Sequence, residues 1–185
     1  MAGERKQQIL ETLAKMLENP KREKITTAAL AAKLDVSEAA LYRHFANKAQ
    51  MFEGLIEFIE ASIFGVINKI TTDETDGDKQ IQAILTMLLK FAEKNPGMTR
   101  VLIGDALVNE DDALQVRINQ LQDRIEMSLK QCLKITVAQS GKKILPEVQS
   151  NLMMCFVIGR WQQFVKSGFK RKPTELATQQ ILMLS

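Results

Sequence analysis

Thr26, Thr27, Ser37, Glu38, Ala39, Ala40, Tyr42, Arg43, His44 and Lys48 are the residues of this chain whose types and spacing suit chemistry, and all fall in one stretch, KITTAALAAKLDVSEAALYRHFANK. The chemistry they suit is binding. A Glu38 carboxylate accepts from a cytosine amino group, and the methyls of Ala39 and Ala40 suit thymine methyls. Thr26, Thr27, Tyr42, His44 and Lys48 supply hydroxyls and positive charge of the kind that meets phosphates, fixing register without reading sequence, and Arg43 adds to the basic rim. Catalysis finds no support. The single histidine, His44, lies inside this stretch, and there is no glycine-rich phosphate loop, no Cys-x-x-Cys and no nucleophile with a base nearby. The chain is expected not to be an enzyme and to need no metal or cofactor.

To present those side chains, the stretch must fold as two short helices. Thr26 and Thr27 are placed to cap the first, which Ala28 to Leu34 propagate. Asp35 suits a left-handed turn, and Ser37 caps a second helix over Glu38 to His44. Leu30, Leu34, Val36, Leu41 and Phe45 then pack inward. Two helices joined by a tight turn form a helix-turn-helix, whose second helix can lie in a DNA major groove. One head is a small interface, so useful affinity needs two, about 34–36 Å apart on a roughly palindromic double-stranded site.

Charge placement agrees. Met1 to Phe52 carries nine Lys/Arg against six Asp/Glu, whereas Glu53 to Ser185 carries sixteen of each. All the excess of +3 therefore sits with the helix-turn-helix, as a polyanion partner requires. The N-terminus is polar from Gly3 to Gln8, which predicts no signal peptide. The longest apolar run, Leu152 to Ile158, is too short for a membrane segment. Cys132 and Cys155 lie in apolar helical patterns away from any other ligand type, which predicts buried free thiols. A cytoplasmic protein is expected.

The rest reads as an all-α fold, with a head over 1–52 on a larger helical bundle body over 53–185. Glu4 to Glu18 is amphipathic through Ile9, Leu10, Leu13, Met16 and Leu17, and the Lys21-Arg22 pair that follows suits flanking phosphates or a solvated face. Asn47, with Gln50 in capping-box spacing, opens a long helix to about Thr71. Further helices are marked by Ile81 to Ala92, Met98 to Leu107, Leu114 to Leu133 and Val148 to Phe169, and Pro173-Thr174 opens a last one. Because Leu152 to Ile158 is apolar on every face, burial all round is expected, and a homodimer through the last two long helices follows. In the body, Trp161, Phe156, Phe91, Met87, Met153 and Met154 fit either a ligand pocket or plain core, with core favoured because methionines and aromatics at helical spacing usually pack there. Phe58, Phe64 and Met87 lie off their helices' main apolar stripes, which suits either a protein-binding groove or a second buried face.

TTAALAAKLDVSEAALYRHFANK resembles the DNA-binding head of TetR-type regulators, whose signature is a Ser-capped recognition helix ending in Tyr-Arg-His-Phe. VSEAALYRHFANKAQMFEGLIEFIE, NPGMTRVLIGDAL, RINQLQDRIE and FVKSGFKRKPT resemble, more narrowly, the nucleoid occlusion factors of that family. The resemblance implies DNA contact by the head positions already named. It also implies a nucleoid-associated protein that binds the tubulin-like division protein FtsZ while on DNA and blocks septum assembly over the chromosome. The partner surface it implies comprises Phe58, Val66, Met87, Lys90, Lys94 and Asn95. The chain departs from the pattern at Asp35 (glycine is usual), Ala46 (proline), Val66 (arginine) and Lys90 (glycine). The alternative is a TetR-type transcriptional repressor answering to a small molecule, a ligand that the core reading of the body makes the weaker expectation.

Overall fold

A computed structural model describes residues 2–19, 25–141 and 143–185. Among the described residues all regular structure is helical, as the all-α reading expects: α1 (Ala2–Leu17), α2 (Thr27–Lys33), α3 (Glu38–Tyr42), α4 (Lys48–Asp73), α5 (Gly77–Lys94), α6 (Pro96–Leu102), α7 (Asp112–Ser140), α8 (Pro146–Lys166) and α9 (Ala177–Leu184). The Lys21-Arg22 pair lies outside the described residues. The chain divides into two compact units, Met1–Ile59 with Asn95–Ile118, and Glu60–Lys94 with Asn119–Ser185.

In the first unit the apolar stripe of α1 (Ile9, Leu13, Leu17) is buried along with Leu30, Leu41, Phe45 and the inward residues of the first turns of α4, Met51, Phe52, Leu55, Ile56 and Ile59. Helix α6 packs on α1 at a distance only glycine permits. A Cβ at Gly97 would stand 2.0 Å from the Ala14 carbonyl oxygen and 3.1 Å from the Leu17 Cβ. Gly97→Ala is therefore expected to destabilise by about 1–3 kcal/mol, as overpacking does, read as a lower urea midpoint. Beside it, buried Arg100 donates from Nε to Asp105 at 2.7 Å and from Nη1 to the Leu17 carbonyl at 3.0 Å, so an otherwise costly internal charge is matched. The same bond satisfies a carbonyl that the end of α1 leaves open.

The second unit packs α5 against α8 and α9. Ile81, Ile84, Leu85, Leu88, Leu89 and Ala92 are fully buried, as are Met153, Val157 and Trp161. The Trp161 indole N–H donates to the Leu88 carbonyl at 3.2 Å. Gly77 lets α5 begin against α7, since a Cβ there would meet the Thr136 hydroxyl at 2.5 Å.

Four expectations are corrected. The recognition helix α3 ends at Tyr42 rather than His44, Arg43 and His44 forming a turn. Helix α6 starts at Pro96, where a fixed φ suits a first helical turn, and stops at Leu102. The last helix starts at Ala177, not Pro173: Arg160 donates to the carbonyls of Lys172, Pro173 and Glu175 and holds that segment as a turn, with Leu176 left-handed at φ 60°. The Thr174 hydroxyl, and then Lys172, bind Glu93 and keep its carboxyl below the usual range. Finally, α8 is not buried all round. Met153, Met154 and Val157 are inside, but Leu152 is 50% exposed and Cys155 is an exposed thiol, while Cys132 is buried and pushed up to about 11 by desolvation.

Candidate nucleic-acid interface

Two hydroxyl caps build the head. Thr26 Oγ1 accepts from the Ala29 N–H at 3.1 Å to open α2, and Ser37 Oγ accepts from the Ala40 N–H at 3.3 Å to open α3. Between them Asp35 adopts φ 54°, the left-handed region its short polar side chain tolerates, and the Val36 N–H returns to the Ala31 carbonyl at 3.0 Å. With Leu30, Ala31, Leu41 and Phe45 buried beneath, Thr26, Ser37, Glu38, Ala39, Tyr42 and Arg43 are left exposed. Thr27, Ala40, His44 and Lys48 are half-buried. All ten sequence-identified positions thus belong to the first unit, on α2 and α3 and their N-caps, the turn after α3 and the first residue of α4.

The structure brings three of them into direct contact. Thr27 Oγ1 donates to Glu38 Oε2 at 2.6 Å, and the Tyr42 hydroxyl donates to Thr27 Oγ1 at 3.4 Å. Lys48 is engaged elsewhere. Its ammonium is paired with the Glu110 carboxylate, the two side chains being only 22% and 12% exposed, and it lies 5.6 Å from the Phe52 ring centroid. Sequence reasoning missed Glu110. It stands in the irregular segment VNED between α6 and α7, where no periodicity marks a residue as anyone's partner. The cap of α4 also differs in detail: Asn47 Oδ1 accepts from the Gln50 N–H, but Gln50 Oε1 reaches back to the Ala46 N–H, each at 2.9 Å, one residue earlier than a capping box requires.

The residues expected to face a protein partner divide between the units. Phe58, exposed on α4, and Asn95, at the start of α6, belong to the first. Val66, Met87, Lys90 and Lys94 belong to the second, where Val66, Lys90 and Lys94 are exposed and Met87 is half-buried. On α5, Met87, Lys90 and Lys94 recur at three- and four-residue intervals and so share one face.

Comparison with known proteins agrees with this anatomy. Residues 23–55 match the model of bacterial regulatory proteins of the tetR family, and residues 76–185 match a tetracyclin repressor-like C-terminal domain of SlmA-like type. The chain is 52% identical over 178 residues to the nucleoid occlusion factor SlmA of Alteromonas mediterranea, covering 95% of this chain and 91% of that one. It is 51% identical over 173 residues to the factor of the same name from Shewanella oneidensis, covering 92% and 88%. Among solved structures, the fatty acid degradation regulator FadR from Bacillus halodurans superposes with a TM-score of 0.80 at 14% identity over 96% of both chains. The TetR family regulator PfmR from Thermus thermophilus does so at 0.78 and 20% identity, over 95% of this chain and 96% of that one. These two show the fold alone. None of the four is an enzyme by name. With half its residues shared across nearly its whole length and a matching body as well as head, the chain belongs to the nucleoid occlusion factor SlmA family of TetR-type helix-turn-helix proteins.

Proposed function

We propose that this protein is a DNA-gated inhibitor of division: a homodimer that binds a roughly palindromic duplex and, while bound, engages FtsZ so that no septum assembles over the chromosome. The observation that carries the reading is the match over 76–185 and the roughly half identity over both regions, since a helix-turn-helix head alone is common to many repressors. The DNA-binding part is residues 1–52, contacting the duplex through Thr26, Ser37 to Ala40, Tyr42, Arg43, His44 and Lys48, with Thr27 hydrogen-bonded to Glu38 behind them. The remainder, 53–185, supplies the partner surface of Phe58, Val66, Met87, Lys90, Lys94 and Asn95. The protein is nucleoid-associated in the cytoplasm. Among the described residues no helix is long and apolar enough to cross a membrane.

The uncovered stripe of α8 supports the dimer. Val148, Leu152 and Cys155 recur at helical spacing and are exposed, and nothing lies within 4 Å of where a Gly159 Cβ would stand. A second copy seated there removes this apolar surface from water. Cys155 is then expected to resist alkylation in concentrated protein and to react once the dimer is diluted apart, while Cys132 stays unreactive in both. Equal reactivity of Cys155 at all concentrations would place the twofold contact elsewhere.

The test of the whole reading is sedimentation of FtsZ polymers with this protein, with and without a duplex it selects. Polymer loss only with DNA is expected, and no effect in either case sinks the proposal. Lys94→Glu should leave DNA affinity unchanged and reduce FtsZ binding about tenfold or more, as a reversed charge at an interface does. Loss of DNA affinity in that variant would show the surface to be misassigned. Of the six body residues that fit either a ligand pocket or core, Trp161, Met153 and Met154 are buried as core, which lends the small-molecule repressor reading no support, while Phe156, Phe91 and Met87 are half-buried.

A further inference from the structure

We infer that Glu38 is the residue with which each head reads an amino-bearing base edge, cytosine above all, and that Thr27 is a positioning residue acting through Glu38 rather than on a phosphate. The inference rests on the DNA-binding reading above. A hydroxyl carries one proton. That of Thr27 points at Glu38 Oε2 at 2.6 Å, a short charge-assisted bond, so it is not available to a phosphate oxygen, which only accepts. The Tyr42 proton is directed at Thr27 Oγ1, at a longer 3.4 Å, making a relay Tyr42 to Thr27 to Glu38 that runs across from α3 to α2 and back.

Glu38 is the acidic residue of α3, at its first position, and the Ser37 cap fixes the backbone beneath it. In helix-turn-helix docking these first positions are the ones that reach base edges. A carboxylate there is repelled by phosphates and by the carbonyl oxygens of guanine and thymine. It finds donors only at cytosine N4 and adenine N6. An unrestrained glutamate turns away from a wrong base at little cost, whereas one oxygen pinned by Thr27 leaves Oε1 aimed in a fixed direction. The relay thus converts a flexible acid into a discriminating one, and it weakens binding to duplexes that offer no amino group at that place.

The experiment starts from duplexes enriched by the wild-type protein from a random pool, followed by anisotropy titrations on every single-base-pair variant of the selected site at fixed salt. Glu38→Ala is expected to flatten the preference at one symmetric base-pair position by about tenfold, the size of one good base contact. Thr27→Val should flatten the same position several-fold while leaving other positions and the salt slope as in wild type, and Thr27→Ser, which keeps the hydroxyl, should restore it. A Thr27→Val variant that weakens every duplex by one common factor, or leaves the profile untouched, overturns the inference while DNA reading stands. If the wild-type protein enriches no sequence, both fall together.

Discussion

Trp161→Ala should cost about 3–5 kcal/mol of folding stability, the range for emptying a fully buried aromatic site. The indole is 0% exposed, and its N–H is already bonded to the Leu88 carbonyl. Truncation both opens a cavity between α5 and α8 and strips that carbonyl of its partner. The measurement is urea unfolding followed by far-ultraviolet circular dichroism, because the variant lacks the chain's one tryptophan. The result bears on function. A residue lining a ligand chamber borders empty space and loses little on truncation, so a cost below about 1 kcal/mol would revive the repressor reading, which needs a chamber.

Lys48→Ala and Glu110→Gln should move DNA affinity in opposite directions. Lys48 opens α4 beside the recognition helix, yet in the free protein its ammonium is held by Glu110. A phosphate must win it from that carboxylate. Lys48→Ala is expected to weaken binding to all sequences alike, by about tenfold or more, and to reduce the salt slope by about 0.9 for each phosphate that is no longer neutralised. Glu110→Gln keeps the shape but removes the competing charge, so binding should tighten several-fold on all duplexes. Its cost in stability is about 1 kcal/mol, since both side chains retain some exposure to water. Should Lys48→Ala leave the salt slope unaltered, Lys48 stays with Glu110 in the complex and the phosphate is met by another residue.

What was legible in the sequence was whatever is local. Thr26 and Ser37 cap the helices they precede, Asp35 turns left-handed, and the buried stripes of α1, α4, α5 and α7 fall where the apolar spacing puts them, because each depends on residues within a turn or two. The boundaries missed are those set from a distance. The Pro173–Leu176 segment has helix-forming composition, but Arg160, more than three helical turns back, binds two of its carbonyls and that of Lys172 before it, and holds the segment in a turn. Gly97 reads as a helix stop next to Pro96. Its role as the only residue that fits over the Ala14 carbonyl is visible only once α6 lies on α1. Lys48 had the right type and place to meet a phosphate, but no pattern in the chain announces that Glu110 holds it. The apolar run at Leu152 to Ile158 shows the converse: sequence detects that a surface needs cover, not which molecule covers it.

The bond from the Ala46 N–H to Gln50 Oε1 ties two positions of this chain together. A proline at 46 has no N–H to satisfy, and a chain carrying one is released from any requirement for an acceptor at 50. Alanine at 46 presents an N–H at the surface, and glutamine at 50 accepts from it in place of water. The two sites should therefore be epistatic: relatives drifting at 50 are expected to be those with proline at 46, and swapping either residue alone between such lineages should be less well tolerated than exchanging the pair.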